Sequence, residues 1–270
     1  MATFDEYRDA CGCARLVRDE GVLEVALHTD GGPFVFSEPA HRELGALFHT
    51  IGADALNRVV ILTGTGDSFC AAFDYASFAD RRAAEGGEEF WMRLRRDGTR
   101  MLSSFLDIEV PVIAAVNGPA LSHSELPLLA DVVLSSDTAS FQDATHFIAG
   151  IPPGDGMHIV WTALLGPNRG RYFLLTGERI DAASALRLGV VGEVLAPANL
   201  LPRAWDLARS WAALPRLTLL GTRAVVTQEW RRRFAAELHT GLTHEALADV
   251  NRVPGHASEP IVDLLAARRP

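Results

Sequence analysis

Two segments in the middle of the chain carry histidine and carboxylate side chains at spacings that suit acid–base chemistry. His123 and Glu125 lie in residues 111–131, and His146 and Asp155 lie in residues 140–156. A histidine has an ordinary pKa of about 6.5, so its imidazole accepts or donates a proton near neutral pH. A buried aspartate on the other ring nitrogen fixes the tautomer and stabilises the imidazolium. These residue types would allow His146 to act as a general base with Asp155 as the residue that orients it.

The composition excludes several other kinds of chemistry and several partners. The 270 residues are 48% hydrophobic and 22% charged, which is ordinary for a globular chain and rules out a disordered or collagen-like one. The formal charge of −9 disfavours binding to nucleic acid or to an anionic membrane. All 25 basic side chains, histidine apart, are arginine, so Schiff-base catalysis by lysine is excluded.

The cysteines and the apolar segments carry little functional signal. Three cysteines, an odd number, argue against a disulfide framework. Cys11 and Cys13 are too few for a zinc site by themselves, and we interpret them and Cys70 as buried or incidental thiols. No apolar run reaches the roughly 18–20 residues that a membrane span needs, and the N-terminal segment is acidic where a secretory signal would be basic. We therefore expect a cytoplasmic protein.

Hydrophobic spacing predicts strands that alternate with helices. Buried strands are predicted at 58–64, 110–116 and 132–135, and a hairpin at 15–28. Helices are predicted at 39–54, 88–106, 157–165, 168–175, 182–188, 199–213, 217–232 and 234–250, with a short strand at 190–195. The pattern predicts an α/β core over residues 1–196 and a helical C-terminal region and tail over 197–270. Residues 256–270 are expected to form a loose extension or an oligomer contact.

Three segments, in this order, resemble the crotonase, or enoyl-CoA hydratase/isomerase, superfamily. They are LTGTGDSFCAAFDYASF at 62–78, PVIAAVNGPALSHSELPLLAD at 111–131 and SFQDATHFIAGIPPGDG at 140–156. The later stretch GRYFLLTGERIDAASALRLGVVGEV at 170–194 is also typical, and the resemblance spans about residues 16–248. It implies a crotonase-like ββα spiral core with a helical C-terminal trimerisation region, assembled as a homotrimer or a dimer of trimers.

The residues that serve CoA thioesters in this superfamily are incomplete here. Two backbone N–H groups bind the thioester oxygen in those enzymes, and one of them matches Phe73. The other comes from a glycine run, which residues 122–124 (Ser-His-Ser) replace. Glu125 matches the first glutamate of the hydratases, but the second falls on Thr145. The pair of carboxylates is therefore not intact, and His123 enters the site where a glycine is expected.

The chain is more similar to one branch of the superfamily, the cofactor-free β-diketone hydrolases that include 6-oxocamphor hydrolase. The matching pieces are GPALSHSELP, FQDATHFIAGIPPGDGMHIVW, LGPNRGRYFLLTGE, LLPRAWDLAR and GLTHEAL. The resemblance places four residues at catalytic positions: His123, His146, Asp155 and Glu245. Phe36, Phe73 and Phe78 are expected to bind substrate, and Phe36 falls where that branch has a tryptophan N–H.

The chemistry that this branch implies is retro-Claisen hydrolysis of a small (bi)cyclic 1,3-diketone to a keto acid. Water adds to one ketone, and the tetrahedral intermediate expels an enolate that is protonated on carbon. Because the second carbonyl accepts the electron pair, no cofactor and no metal are required. We expect His146 to take the proton from water, His123 to donate to an oxyanion, and Glu245 to hold water or shuttle a proton.

Other interpretations stay open. Taken singly, His146 is a buried histidine satisfied by a carbonyl, His123 caps a helix that begins near Glu125, Asp155 is a turn residue, and Glu245 is a solvated helix residue. An enoyl-CoA hydratase or isomerase with an altered site is the alternative function. A catalytically inactive crotonase-fold protein is another, and it would have a pocket filled by Phe36, Phe73 and Phe78 with no titrating histidine.

Overall fold

A six-stranded sheet lies at the centre of the fold. The computed structural model describes residues 3–250. Their strands are β1 (Ala14–Asp19), β2 (Val22–Leu27), β3 (Val35–Phe36), β4 (Val59–Gly64), β5 (Ala72–Phe73), β6 (Val112–Val116), β7 (Val132–Ser136), β8 (Ser140–Phe141), β9 (Ile180–Asp181) and β10 (Glu193–Leu195). The central sheet has the order β1-β2-β4-β6-β7-β10, with β1 antiparallel to β2 and the other neighbours parallel.

Helices cover both faces of this sheet. They are α1 (Phe4–Tyr7), α2 (Glu38–Ala53), α3 (Tyr75–Glu85), α4 (Gly87–Leu106), α5 (Glu125–Leu128), α6 (Met157–Leu165), α7 (Pro167–Thr176), α8 (Ala182–Arg187), α9 (Pro197–Ala212), α10 (Arg216–Val226) and α11 (Gln228–Val250). A 3₁₀ turn follows His146 at Phe147–Ala149. Strand β4 alternates between the two layers, since Val60 and Leu62 face the main core while Val59 and Ile61 pack against α9. Burial on both faces explains why this strand is a continuous apolar run.

Three loops at the carboxyl ends of parallel strands are joined by backbone pairing. Ala120, after β6, forms isolated bridges to Cys70 and to Phe141. The Asn117 side chain accepts from Gly64 N–H and donates to the Ser68 carbonyl, which ties the loop after β4 to the loop after β6. The two-residue strands β3 and β5 pair in parallel, with Phe36 opposite Phe73. Carboxyl ends of parallel strands are the common location of ligand sites in α/β sheets, and these loops carry the candidate residues.

The predicted α/β fold class and its C-terminal helices are confirmed. The elements α1, α3, α5, β3, β5, β8 and β9 were not predicted from hydrophobic spacing, and the break between the last two helices lies elsewhere. Helix α3 has no buried residue, so its sequence lacks the apolar spacing by which a core-facing helix is recognised. The break between the last two helices was predicted near residue 233 and lies at Thr227 instead. Arg223 is anchored on Asp131 near the end of α10, while Phe234 and Leu238 belong to the main core, so the chain turns between these anchors.

The structure describes one chain over residues 3–250, so it tests neither the expected tail nor the expected assembly. The tail at 256–270 falls outside the described residues. The trimer or dimer of trimers involves other copies of the chain and stays a prediction. Among residues 3–250, no helix is both long enough and apolar enough to cross a bilayer.

Candidate active site

His146 lies between two aspartates. Its Nδ1 is 2.8 Å from Asp143 Oδ1, and its Nε2 is 3.2 Å from Asp155 Oδ2. Asp143 Oδ1 also accepts hydrogen bonds from the backbone N–H groups of Thr145 and His146. These bonds fix the orientation of the carboxylate independently of its contact with the His146 ring. The sequence analysis placed Asp155 as the partner that orients the ring. In the structure Asp143 occupies Nδ1 and Asp155 lies on the opposite nitrogen, so Asp143 is a site residue that sequence reasoning missed.

His123 forms the second arm of the same cluster. Its Nδ1 is 2.7 Å from Glu125 Oε1 and 3.4 Å from Asp155 Oδ2. The backbone at His123 has φ = 47°, in the left-handed region that favours glycine. The chain therefore adopts at His123 a backbone conformation that glycine favours, while carrying an imidazole. Ser124, not His123, is the N-cap of α5, and the His123 side chain is used in the cluster rather than as a cap.

The crossing of two glycines brings Glu245 to the cluster. A Cβ on Gly154 would lie 2.2 Å from the Gly241 carbonyl oxygen, and a Cβ on Gly241 would lie 2.2 Å from the Gly154 carbonyl oxygen. Only glycine at both positions allows this approach of α11 to the Asp155 loop. Glu245 lies one helical turn after Gly241, and its Oε2 is buried without a hydrogen-bond partner. The carboxyl group of Glu245 therefore faces the cluster rather than bulk solvent.

The two buried histidines and the buried Asp155 shift one another's pKa values. Burial opposes the imidazolium, but the carboxylates of Asp143 and Asp155 outweigh it and hold the pKa of His146 well above its ordinary value. The pKa of His123 is likewise raised, because Glu125 and Asp155 outweigh burial. Burial alone would raise the pKa of Asp155, yet His146 and His123 lower it below its usual range. Asp155 is thus an ionised carboxylate whose negative charge favours the protonated forms of both histidines.

The two glutamates behave in the opposite way. Burial, reinforced by the negative charge of Asp155, raises the pKa of Glu245 to about 8. Burial also raises the pKa of Glu125, although His123 opposes the shift. Glu245 is therefore mainly a neutral acid at pH 7 and can give up a proton, whereas Asp155 cannot.

An aromatic wall, formed by Phe36, Phe73 and Phe78, lies against His123. The Phe36 and His123 ring centroids are 3.7 Å apart, and Phe73 and Phe78 stack with their centroids 4.7 Å apart. Phe36 is buried, while Phe73 and Phe78 are half-buried. The pairing of β3 with β5 places Phe36 beside Phe73, and the first turn of α3 supplies Phe78. The structure therefore brings all three predicted substrate-binding rings next to the histidine cluster.

A third histidine borders this wall. His41 on α2 is buried, with its ring centroid 5.6 Å from that of Phe36 and 6.3 Å from that of His123. Burial, assisted by the positive charge of His123, lowers the pKa of His41 to about 3, so it is neutral at pH 7. The sequence analysis did not select His41, because its helical spacing is that of an ordinary core-facing position.

Two overlapping groups in the cluster have the composition of a metal site. His123, Glu125 and Asp155 bring three ligand atoms within 4.8 Å of one another, and His146, Asp155 and Glu245 do the same. A histidine must be neutral to bind a metal, and the raised pKa values of both histidines oppose that form. The expectation that no metal takes part stays a prediction.

Sequence and structure comparisons place the chain in a family. A sequence model described as enoyl-CoA hydratase/isomerase matches residues 18–247, which is most of the chain. The chain belongs to the enoyl-CoA hydratase/isomerase family. Ser122 and Thr145, which the resemblance matches to a glycine and to the second glutamate of the hydratases, have side-chain oxygens 3.0 Å apart.

Relatives within the enoyl-CoA hydratase/isomerase family include enzymes of different chemistry. A β-diketone hydrolase from the cyanobacterium Anabaena, solved with (S)-3-oxocyclohexyl acetic acid bound, is 44% identical with a TM-score of 0.87, covering 92% of this chain and 98% of that one. Carnitinyl-CoA dehydratase from Salmonella arizonae is 34% identical over 196 residues, 72% of each chain. An enoyl-CoA hydratase/isomerase from Mycobacterium paratuberculosis shares the fold at 23% identity, with a TM-score of 0.81 over 89% of this chain and 95% of that one.

Proposed function

We propose that the protein hydrolyses a C–C bond of a cyclic 1,3-diketone and releases a keto acid. The observation that carries the proposal is the position of Asp155, within 3.4 Å of both His123 and His146 and near the unpartnered Oε2 of Glu245. The Anabaena hydrolase supports it, because its bound keto acid is what remains when water cleaves one C–C bond of a bicyclic 1,3-diketone.

His123 is suited to stabilise an oxyanion. Its Nδ1 faces Glu125 and Asp155, which leaves Nε2 as the nitrogen for the substrate. The raised pKa of His123 favours the imidazolium, in which Nε2 carries a proton that can be donated to a carbonyl oxygen that gains charge when water adds. Glu125, which in a hydratase serves the substrate directly, acts here by holding the His123 ring.

His146 and Asp155 are suited to activate water. Asp143 fixes the Nδ1–H tautomer, so Nε2 is the nitrogen that becomes a base when His146 loses its proton. Asp155 Oδ1 is buried without a hydrogen-bond partner and can accept one O–H of a water whose other O–H faces Nε2. In this arrangement Asp143 takes the orienting role first assigned to Asp155, and Asp155 positions the nucleophile.

Glu245 is suited to complete the reaction. C–C cleavage leaves an enolate whose carbon needs a proton. A carboxylic acid with a pKa of about 8 still holds its proton at pH 7 and is in place to deliver it. The ketone that becomes the enolate accepts the electron pair, so the proposed reaction requires neither a metal nor CoA.

An acyl-CoA enzyme is the alternative function, and the identity to carnitinyl-CoA dehydratase supports it. Against it, Glu125 pairs with His123 at 2.7 Å, and Thr145 replaces the second glutamate. An inactive protein would have a filled pocket and no titrating histidine. The aromatic rings do stack on one another, but both His123 and His146 have shifted pKa values.

A substrate comparison tests the proposal. Purified protein in EDTA and without CoA is incubated with bicyclic 1,3-diketones, and the ultraviolet absorbance of the diketone is followed together with acid release. The same preparation is assayed with acyl-CoA and enoyl-CoA thioesters. We expect diketone cleavage that His146→Ala abolishes. Turnover of thioesters alone would replace the proposal by the hydratase alternative, and inactivity with both classes would support the inactive protein.

A further inference from the structure

A dithiol lies at the start of β1, far in sequence from the histidine cluster. Cys11 and Cys13 flank Gly12, and their Sγ atoms are 3.2 Å apart. Both cysteines are buried, whereas Gly12 between them is exposed, so the pair lies just beneath the surface. Glu43 on α2 accepts from the Gly12 N–H at 3.0 Å, and the same oxygen is 4.0 Å from Cys11 Sγ. The third thiol, Cys70, is buried elsewhere and is 3.6 Å from the Ala72 carbonyl oxygen.

The two thiols differ in acidity. A hydrogen bond from Cys13 to the Cys11 sulfur outweighs burial and lowers the pKa of Cys11, while the same contact together with burial raises the pKa of Cys13. The proton shared between the two sulfurs thus favours the thiolate on Cys11 and the thiol on Cys13. A low-pKa sulfur next to a protonated one is the arrangement of an attacking and a resolving thiol.

We propose that Cys11 and Cys13 are a peroxide-sensitive dithiol that closes reversibly to an intramolecular disulfide. The Glu43 carboxylate holds the Gly12 turn that keeps the two sulfurs facing each other. The structure thus positions a redox site on a chain whose odd number of cysteines gives no such indication.

The reaction with hydrogen peroxide balances without another reagent. The Cys11 thiolate attacks one peroxide oxygen, the O–O bond breaks, and the departing hydroxide takes a proton to become water. Cys13 Sγ then attacks Cys11 Sγ, the S–O bond breaks, and the leaving hydroxide takes the Cys13 proton as a second water. Two thiols and one peroxide give one disulfide and two waters, so the sulfurs are oxidised and the peroxide is reduced.

The alternative occupant of this cluster is a divalent metal ion held by both sulfurs and Glu43. A tetrahedral zinc with Zn–S bonds of about 2.3 Å holds two sulfurs about 3.8 Å apart. The sulfurs here are closer than that, at 3.2 Å. Glu43 is also engaged by the Gly12 N–H, and the described neighbours supply only three ligand atoms. The contact therefore favours S–S bond formation over metal binding.

Thiol counting and mass spectrometry test the proposal on the full chain. Reduced protein receives a small excess of hydrogen peroxide, is quenched with catalase and is then denatured for thiol titration. We expect the free thiols to fall from three to one, the mass to fall by about 2 Da, and a peptide that joins Cys11 to Cys13 to appear. Dithiothreitol should restore all three thiols. Unchanged mass with three remaining thiols would overturn the proposal.

Variants separate the two roles and supply an internal control. Cys70→Ser should still lose both remaining thiols, because burial raises the pKa of Cys70 to about 12 and keeps it out of the reaction. Cys13→Ser should stop at a sulfenic acid on Cys11 that dimedone traps, and Cys11→Ser should react far more slowly. Faster modification of Cys70 than of Cys11, or stoichiometric Zn²⁺ that protects both thiols from peroxide, would also overturn the proposal. None of these readouts depends on diketone turnover.

Discussion

The candidate site has two halves that are held in place by different forces. The histidine cluster is fixed by short contacts between opposite charges, such as His146 Nδ1 to Asp143 Oδ1 at 2.8 Å, and its members are buried. The aromatic wall is carried by two-residue strands and by α3, a helix without buried residues. One half is therefore held by pairs of opposite charges, whereas the other is an apolar surface whose outer part lies on a helix without buried residues.

This difference predicts which kinetic constant a mutation in each half should change. Preorganised charges lower the barrier of the chemical step, because they need no rearrangement when charge develops. An apolar wall contributes mainly to binding, which affects ground state and transition state alike. In the proposed function, changes in the cluster should lower kcat, and changes in the wall should shift KM and the choice of substrate.

The largest effect is expected at Asp155, which contacts both histidines. Asp155→Asn keeps the shape but removes the negative charge that faces both histidines and that is proposed to position the attacking water, so kcat for a diketone should fall by roughly 10²–10⁴-fold, the range for a positioned acid–base group. Steady-state kinetics measure this loss, and the exposed Asp137→Asn serves as the matched control.

Because paired residues act as a unit, His146→Ala combined with Asp155→Asn should lose little more than the worse single variant. Fully additive losses would argue against the pairing.

A smaller loss is expected from the second arm. His123→Ala removes one proposed oxyanion donor, so kcat and kcat/KM should fall together by roughly 10²–10³-fold. The exposed His49→Ala should leave both constants unchanged. A rise in KM at constant kcat would show instead that His123 binds the ground state, and unchanged kinetics would return it to a structural role.

A plot of kcat/KM against pH should rise and then fall, and each limb should have a slope of about tenfold per pH unit. The pKa of His146 is raised, so its basic form accumulates only as the pH rises above neutrality, and kcat/KM should increase with pH in that range. Glu245 loses its proton as the pH passes about 8, which should oppose the increase and end it. Glu245→Gln should lower activity and remove the falling limb. A limb that persists in Glu245→Gln would assign it to another group.

The smallest effect is expected in the wall. Phe36→Trp adds an N–H where the related hydrolases have one, so KM for a compact bicyclic diketone should fall by a few-fold, which corresponds to about 0.5–1.5 kcal/mol. Phe36→Leu, which adds no donor, should not lower KM. A rise of KM in Phe36→Trp would indicate that the natural substrate is bulkier and fills the space beside Phe36.

The amino-acid sequence predicted the buried strands and the fold class because apolar runs such as 59–64 require burial on both faces. Resemblance to a known branch supplied His123, His146, Asp155 and Glu245. Asp143 and His41 were missed, because neither has a distinctive spacing and both reach the site only through tertiary contacts. Asp155 was expected on the ring nitrogen of His146 that Asp143 contacts. Which aspartate contacts which nitrogen depends on the orientation of the His146 ring, and the local sequence does not determine that orientation. Cys11 and Cys13 were interpreted as buried or incidental thiols, and their burial is confirmed. Their contact with Glu43, about thirty residues away, forms only in the fold.

Isotope labelling of the product tests the central claim most directly. Bicyclo[2.2.2]octane-2,6-dione is incubated with the protein in ¹⁸O-labelled water, with EDTA and without CoA, and the product is analysed by mass spectrometry. The proposed function predicts 3-oxocyclohexyl acetic acid with one enzyme-dependent ¹⁸O in its carboxyl group after correction for exchange into the ketone, and an initial rate of labelled product that is lower in Asp155→Asn by roughly 10²–10⁴-fold. Recovery of unchanged diketone, while the same preparation hydrates or isomerises an acyl-CoA thioester, would contradict it.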